Sequence, residues 1–274
     1  MSENGFSPSG LFEIGDHIYH NCRVKSYPDG TQSVMVCVRS IFREPGWEAA
    51  KQLSHKPDID FEPTPDVELS QYALQRRIDA EQQRKADNLQ RSRRRAAVAV
   101  YDLALCTDFA WFVTLTLNKE MVDRYDAKEV VKRMSTWCDN HVRRHGLAYV
   151  LVPERHKDGA IHFHGFFNDV LKTVDSGHTD AQGHPVFNLP DWSLGFTTAI
   201  RLYGDRRHAC AYVTKYVTKQ QEKIGGRWYY SGGCLKRPAV ELSDVSFGDF
   251  EGKEGGYEFV IPALGAKCLK LEIG

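Results

Sequence analysis

The stretch Ala148-Tyr-Val-Leu-Val-Pro-Glu154-Arg-His-Lys-Asp-Gly-Ala-Ile-His162-Phe-His164-Gly-Phe-Phe167 reads as two strands around one tight turn. Ala148 to Val152 and Ala160 to Phe167 are rich in β-branched, aromatic and apolar residues, the composition of strands that pack on a core. Between them Lys157-Asp158-Gly159 has the form of a three-residue hairpin loop ending in a glycine with positive φ. Loop length sets the register, and register decides which side chains share a face. A three-residue loop pairs His156 with Ala160 and puts Glu154 directly opposite His162, whereas a two-residue Asp-Gly turn would put Arg155 there. His162 and His164 stand two apart in one strand, so they project to the same face with Cα atoms ~6–7 Å apart, while Phe163 faces the other way. The expected product is a two-imidazole, one-carboxylate cluster of Glu154, His162 and His164. His156 shares that face, either as an outer ligand or as an exposed turn residue.

Mixed nitrogen and oxygen ligands with open positions suit a divalent cation, and availability inside a cell favours Mg²⁺ or Mn²⁺. An H-x-H pair is a weak motif by itself, because strand histidines often serve structure alone. The correctly spaced Glu154 gives it weight.

A second constellation lies downstream, where Tyr212-Val-Thr-Lys215-Tyr216-Val-Thr-Lys219 repeats the same four residues twice. In a helix, positions four apart differ by about 40° in azimuth and ~6 Å along the axis, so Tyr212 and Tyr216 present two hydroxyls to one place. Lys215 and Lys219 flank them. A phenol is a poor nucleophile at neutral pH, and attack on phosphorus needs the positive field that these lysines and a cation supply. The competing reading is an amphipathic helix whose tyrosines pack with Val213 and Val217 while its lysines meet water.

Further outward, Phe112-Val-Thr-Leu-Thr-Leu117 is a core strand, and Asp126-Ala-Lys-Glu129 has the form of a capping box before an amphipathic helix that ends at Gly146. Residues 168–192 read as a long connection with a Gln182-Gly183 turn, Phe196 to Leu202 as a fourth strand, and Arg206 to Gln221 as a second major helix. Upstream, Tyr27-Pro-Asp-Gly-Thr31 favours a β-hairpin between two apolar runs of residues 17–41. Asp66 can cap a helix running towards Cys106, with a polar middle that ends in Arg91-Ser-Arg-Arg-Arg95. Such a segment lies either on solvent or on a phosphate backbone. These signals divide the chain into an accessory region with the hairpin (1–68), a basic helical segment (69–106), a core (107–240) and a C-terminal extension (241–274).

The chain has 274 residues, 36 basic and 36 acidic, but the charge is unevenly spread. Residues 1–70 carry eleven acidic and six basic side chains, and Arg76 to Arg95 carry eight basic against three acidic. A basic body behind an acidic leader is compatible with a polyanionic partner. No apolar run of ~18 residues and no signal-peptide pattern occurs, so the expected location is a cytoplasm, with no membrane partner. Seven scattered cysteines without a C-x-x-C pair are expected to be ordinary buried thiols.

The strand Phe112 to Leu117, the His162-Phe163-His164 motif and the doubled Tyr-x-x-Lys of 212–219 stand in the order found in the HUH endonuclease superfamily, and the chain resembles its rolling-circle replication initiators. The two tyrosines are similar to those of initiators from small circular-genome phages, plasmids and integrated elements. The resemblance covers about residues 90–238. It implies an α+β fold: an antiparallel sheet with an RRM-like core, flanked by helices, with metal ligands on central strands and the tyrosine helix beside them. It also implies a nick in single-stranded DNA at a replication origin, a covalent 5′-phosphotyrosine and later rejoining, all in a bacterial host. No G-x-x-x-x-G-K-[ST] occurs, so unwinding falls to a host helicase or to supercoiling.

Arg91, Arg93, Arg94, Arg95, Lys236 and Arg237 are candidates to contact phosphates, and Trp228, Tyr229 and Tyr230 to stack on unpaired bases, against the alternative of surface charge and core aromatics. A transposase or relaxase of the same superfamily, a non-catalytic RRM-like binding module and a two-histidine, one-carboxylate oxygenase are the competing functions. The tyrosine pair separates them, since neither a passive binder nor an oxygenase requires it.

Overall fold

The computed structural model describes residues 12–14, 17–44, 71–204, 206–261 and 264–274. In chain order the elements are β1 (Phe12–Ile14), β2 (His17–His20), β3 (Cys22–Ser26), β4 (Gln32–Cys37), β5 (Phe42–Arg43), α1 (Gln71–Cys106), β6 (Trp111–Leu117), α2 (Ala127–His145) and β7 (Tyr149–Arg155). They continue with β8 (Ile161–Phe167), β9 (Val174–Thr179), β10 (Pro185–Asn188), β11 (Gly195–Arg201), α3 (Arg206–Lys219), β12 (Tyr230–Gly232), β13 (Ala239–Ser243), β14 (Tyr257–Ile261) and β15 (Ala266–Ile273). The architecture is mixed α+β, with three α-helices and antiparallel sheets among the described residues. The chain forms two compact units, Ser70–Arg237 and Met1–Leu69 with Pro238–Gly274.

The Ser70–Arg237 unit is built on a seven-stranded sheet in the order β12-β7-β8-β6-β11-β10-β9. Strict alternation along the central strands gives it two chemically different faces. Trp111, Val113, Leu115 and Leu117 of β6, Tyr149 and Leu151 of β7, and Ile161, Phe163 and Phe167 of β8 are buried in one cluster with Val130, Met134, Trp137 and Cys138 of α2. The other face carries Phe112, Thr114 and Thr116 on β6 and His162, His164 and Phe166 on β8, and against this half of the unit α3 packs, supported by α1. α2 begins where its capping signal lies: the Asp126 carboxylate accepts from the backbone N–H groups of Lys128 and Glu129, and Gly146 closes the helix at φ 70°.

α1 runs without a break to Cys106, and the expected cap at Asp66 lies outside the described residues. Residues 168–192 are a correction. They contain the strands β9 and β10, paired as a hairpin that extends the sheet edge beyond β11. Val-Asp-Ser-Gly-His-Thr has little apolar content, and its strand conformation rests on backbone pairing with β10 rather than on burial.

Gly165 shows how tightly the central strands are held. A Cβ there would lie 1.8 Å from the carbonyl oxygen of Val150 on β7, and no side-chain rotation relieves a clash with backbone. Gly165→Ala is expected to destabilise the protein by about 3 kcal/mol or more, read from urea denaturation midpoints; a midpoint equal to the parent's would show that β7 and β8 tolerate separation.

In the other unit, the β3–β4 hairpin turns where Pro28-Asp29-Gly30 predicts, with the Tyr27 N–H donating to the Thr31 carbonyl at 2.9 Å and Gly30 at φ 85°. Its sheet has the order β13-β3-β4-β15-β14, so strands from the two ends of the sequence share one layer, with Cys22, Val34, Val36, Leu269 and Leu271 at its core. Cys37 and Cys268 are cross-strand partners joined by a disulfide, which corrects the expectation of unbridged thiols for this pair. Their 231-residue separation hides the pairing from any local pattern. Cys22, Cys106, Cys138 and Cys210 are buried thiols outside any disulfide.

Candidate active site

The β7–β8 hairpin has the three-residue loop that its sequence predicts. The His156 N–H donates to the Ala160 carbonyl at 2.8 Å, Gly159 takes φ 86°, and Glu154 pairs with His162 while Val152 pairs with His164. The register continues onto β6, where Thr116 is the partner of His162 and Thr114 the partner of His164. Two rungs therefore cross the face, Thr116–His162–Glu154 and Thr114–His164–Val152. Glu154 Oε2 lies 3.0 Å from His164 Nε2, and the His156 ring stacks on that of His162 with centroids 5.3 Å apart.

Both histidines are held from behind by threonines. Thr114 Oγ1 is 3.1 Å from His164 Nδ1, and Thr116 Oγ1 is 3.3 Å from His162 Nδ1. A hydroxyl can give or accept, so each threonine can follow its imidazole through either neutral tautomer. Burial, followed by the neighbouring His162 and His156, pushes the His164 pKa down to about 4, and burial with His156 lowers that of His162. The rings are neutral at neutral pH, which makes the Glu154–His164 contact a hydrogen bond rather than an ion pair. Burial raises the Glu154 pKa, partly offset by Lys219 and His156.

α3 brings the tyrosines to this cluster. The Tyr216 ring stacks on His164 with centroids 4.1 Å apart and planes 8° from parallel. Its hydroxyl donates to that of Tyr212 at 2.8 Å, and the Tyr212 ring stands edge-on to Phe112 of β6. Burial, then the Tyr212 hydrogen bond, drives the Tyr216 pKa above the ordinary phenol range. Tyr212 is 48% exposed, and its own hydroxyl proton has no acceptor among the described residues. Lys219 Nζ lies 6.0 Å from the Tyr216 ring, whereas Lys215 is exposed with no ion pair to a described residue. Buried Val213 and Val217 fix the opposite side of the helix.

Two residues that sequence reasoning missed hold this arrangement. Gln220, buried just past α3, donates through Nε2 to the Pro153 carbonyl, one residue before Glu154. Its own backbone carbonyl accepts from Arg93 of α1 at 2.7 Å, so Arg93 has a structural partner in place of the expected phosphate. Arg124 leans on Asp158 at 3.5 Å and its carbonyl accepts from the Ile161 N–H, which ties the loop before α2 to the start of β8. Neither position carries a local signal, because a glutamine after a helix and an arginine in a loop are ordinary surface choices.

The expected DNA contacts divide. Arg91, Arg94, Arg95 and Arg237 are exposed, and Lys236 is exposed but paired with Asp108 at 2.7 Å. Two of the expected stacking aromatics are corrected. Trp228 is buried with its indole N–H on Ser92 Oγ at 3.0 Å, and Tyr230 is buried with its hydroxyl on the Ile224 carbonyl at 2.8 Å, so neither ring has a face to offer. Tyr229 is half-buried.

Among the described residues no three histidine, cysteine, aspartate or glutamate side chains are already gathered as a metal-binding group. The donor set nevertheless fits a divalent cation: Thr114 and Thr116 engage the Nδ1 atoms, which leaves Nε2 as the ligating nitrogen of each ring, and Glu154 makes no ion pair with a described lysine or arginine. Among the described residues no helix is long and apolar enough to cross a membrane.

Fold and site together define a class: an α+β protein whose antiparallel sheet sets two histidines and a carboxylate under a pair of helix-borne tyrosines. Residues 110–221, which span β6 to the end of α3, match the family model of the replication-associated proteins of the ORF2 type. No curated protein and no solved structure matches the chain.

Proposed function

We propose that this protein is a rolling-circle replication initiator of the HUH type, which nicks and rejoins single-stranded origin DNA through a 5′-phosphotyrosine. The observation that carries the reading is the stack of Tyr216 on His164, with Tyr212 hydrogen-bonded to Tyr216. It joins the two sequence constellations at one point, as this chemistry requires, and the match to a replication-associated family over the same residues supports it.

In this reading Glu154, His162 and His164 hold Mg²⁺ or Mn²⁺, which polarises the scissile phosphate when bound. The phenolic oxygen of Tyr212, the more exposed of the pair and the acceptor of the Tyr216 hydrogen bond, attacks phosphorus in line. The P–O3′ bond breaks, the 3′-hydroxyl leaves with a proton, and the phenol proton passes to solvent. The new phosphotyrosine keeps the energy of the broken ester, so attack by a 3′-hydroxyl reverses the step and rejoins the strand. Tyr216 is placed to take a second phosphate while Tyr212 is occupied. Lys219 supplies positive charge beside the phenol. Unwinding is left to a host helicase or to supercoiling.

Incubation of an origin oligonucleotide with protein and Mn²⁺ tests the proposal, since the product is a protein–DNA adduct that survives boiling in detergent. The threonines give a second check. Thr114→Val keeps the β-branched strand residue but removes the hydroxyl behind His164, and Mn²⁺ affinity measured by calorimetry without DNA is expected to fall about 10- to 100-fold. Unchanged affinity would mean that Thr114 does not orient a ligand.

A further inference from the structure

The geometry points to a base-stacking subsite on β11, in which Phe196 receives one unpaired nucleobase of the strand whose phosphate reaches the Glu154–His162–His164 cluster; this deepens the proposed reading and rests on it. Phe196 pairs with Thr116, Thr116 with His162, and His162 with Glu154, so one rung runs across four strands from the aromatic ring to the carboxylate. Thr197 and Ala199, the neighbours that alternate with it, are buried on the opposite face, which puts Phe196 and Thr198 on the face of the site. Two strand spacings of about 4.8 Å separate it from His162, roughly one to two nucleotides along an extended strand. α3 packs on α1, β7 and β8, and leaves this end of the rung open.

Phe196 is 68% exposed, the most exposed large apolar side chain among the described residues, yet its backbone is among the best anchored. The Asn118 N–H donates to the Leu194 carbonyl at 2.9 Å, and the buried Trp192 indole donates to the carbonyl of Thr116 at 3.2 Å. Gly195 allows β11 to lie against β6 here, since a Cβ at that position would stand 2.3 Å from Thr116 O. A ring fixed in place from below and left in water above is what stacking on a flexible strand requires, because the protein loses little conformational freedom when the base arrives. The ring accepts any base, so this subsite adds affinity and positions the strand without reading sequence.

The test uses the full chain and a fluorescein-labelled (dT)15 strand, with affinity read by anisotropy, beside the adduct assay on an origin strand. Phe196→Ala is expected to weaken (dT)15 binding about tenfold or more, Phe196→Trp to restore it, and Phe196→Leu to remain weak because leucine keeps apolar area without a π-face. In the adduct assay the alanine variant is expected to need more DNA for half-maximal rate while its rate at saturation stays within about twofold of the parent. Parent-like (dT)15 affinity of Phe196→Ala, or full restoration by Phe196→Leu, would overturn the subsite. The two failures are separable. A tyrosine-dependent adduct that ignores Phe196 sinks the subsite alone, whereas Phe196-dependent binding by a parent that forms no adduct sinks the nicking chemistry and leaves the subsite standing.

Discussion

Replacing both tyrosines with phenylalanine is expected to abolish the DNA adduct, a loss on the order of 10³-fold or more, because no other group then forms the ester. The change removes two oxygens and keeps both rings, so the stack on His164, the edge contact with Phe112 and the packing of α3 persist. Affinity for single-stranded DNA should therefore stay close to that of the parent. The single variants should differ. Tyr212→Phe removes the exposed acceptor hydroxyl and should cost the first cleavage more than Tyr216→Phe, whose phenol burial holds protonated. Gel analysis of adduct formed in a single turnover reads all three variants; an adduct at parental yield in the double variant would remove both tyrosines from the chemistry.

The second large effect is expected at His162. His164 is the less informative target, because its ring also supports Tyr216, and its removal would disturb nucleophile and ligand together. The recorded partners of His162 are Thr116, to which Nδ1 bonds, and the His156 ring, so His162→Ala takes away one imidazole ligand and leaves the tyrosine pair in place. Loss of a ligand from a cation that bears on the scissile phosphate should slow cleavage about 10³-fold, equivalent to roughly 4 kcal/mol. DNA affinity should change little, since phosphate contacts elsewhere carry binding. Cleavage at the parental rate by this variant, in the same Mn²⁺ concentration, would separate the histidine cluster from catalysis.

What the sequence could disclose follows from how local each feature is. The register that sets Glu154 against His162 depends on a three-residue loop, and a glycine with positive φ in that loop is a local choice. The same holds for the Asp126 cap and the turn at Pro28-Asp29-Gly30. The spacing of Tyr212 and Tyr216 predicts that they share a helix face, but only tertiary packing decides that this face meets His164 rather than the apolar side of the sheet. Aromatic residues were the least legible. Trp228, Tyr230 and Phe196 are all large rings near the ends of strands or turns, and composition does not say that the first two close the core while the third stands in water. Pairing of β15 with β4, and with it the bond between Cys37 and Cys268, joins opposite ends of the chain and leaves no mark within any short window.

The central claim is that a phenol of α3 attacks a phosphate held over the histidine face of the sheet, and mass spectrometry of the trapped complex tests it most directly. After reaction with an origin strand and Mn²⁺, nuclease trimming and proteolysis, the account predicts a nucleotide joined through its 5′-phosphate to Tyr212 or Tyr216, together with a free 3′-hydroxyl on the released fragment. A nucleotide on any other residue, or cleavage that leaves a free 5′-phosphate and no modified tyrosine, would contradict it.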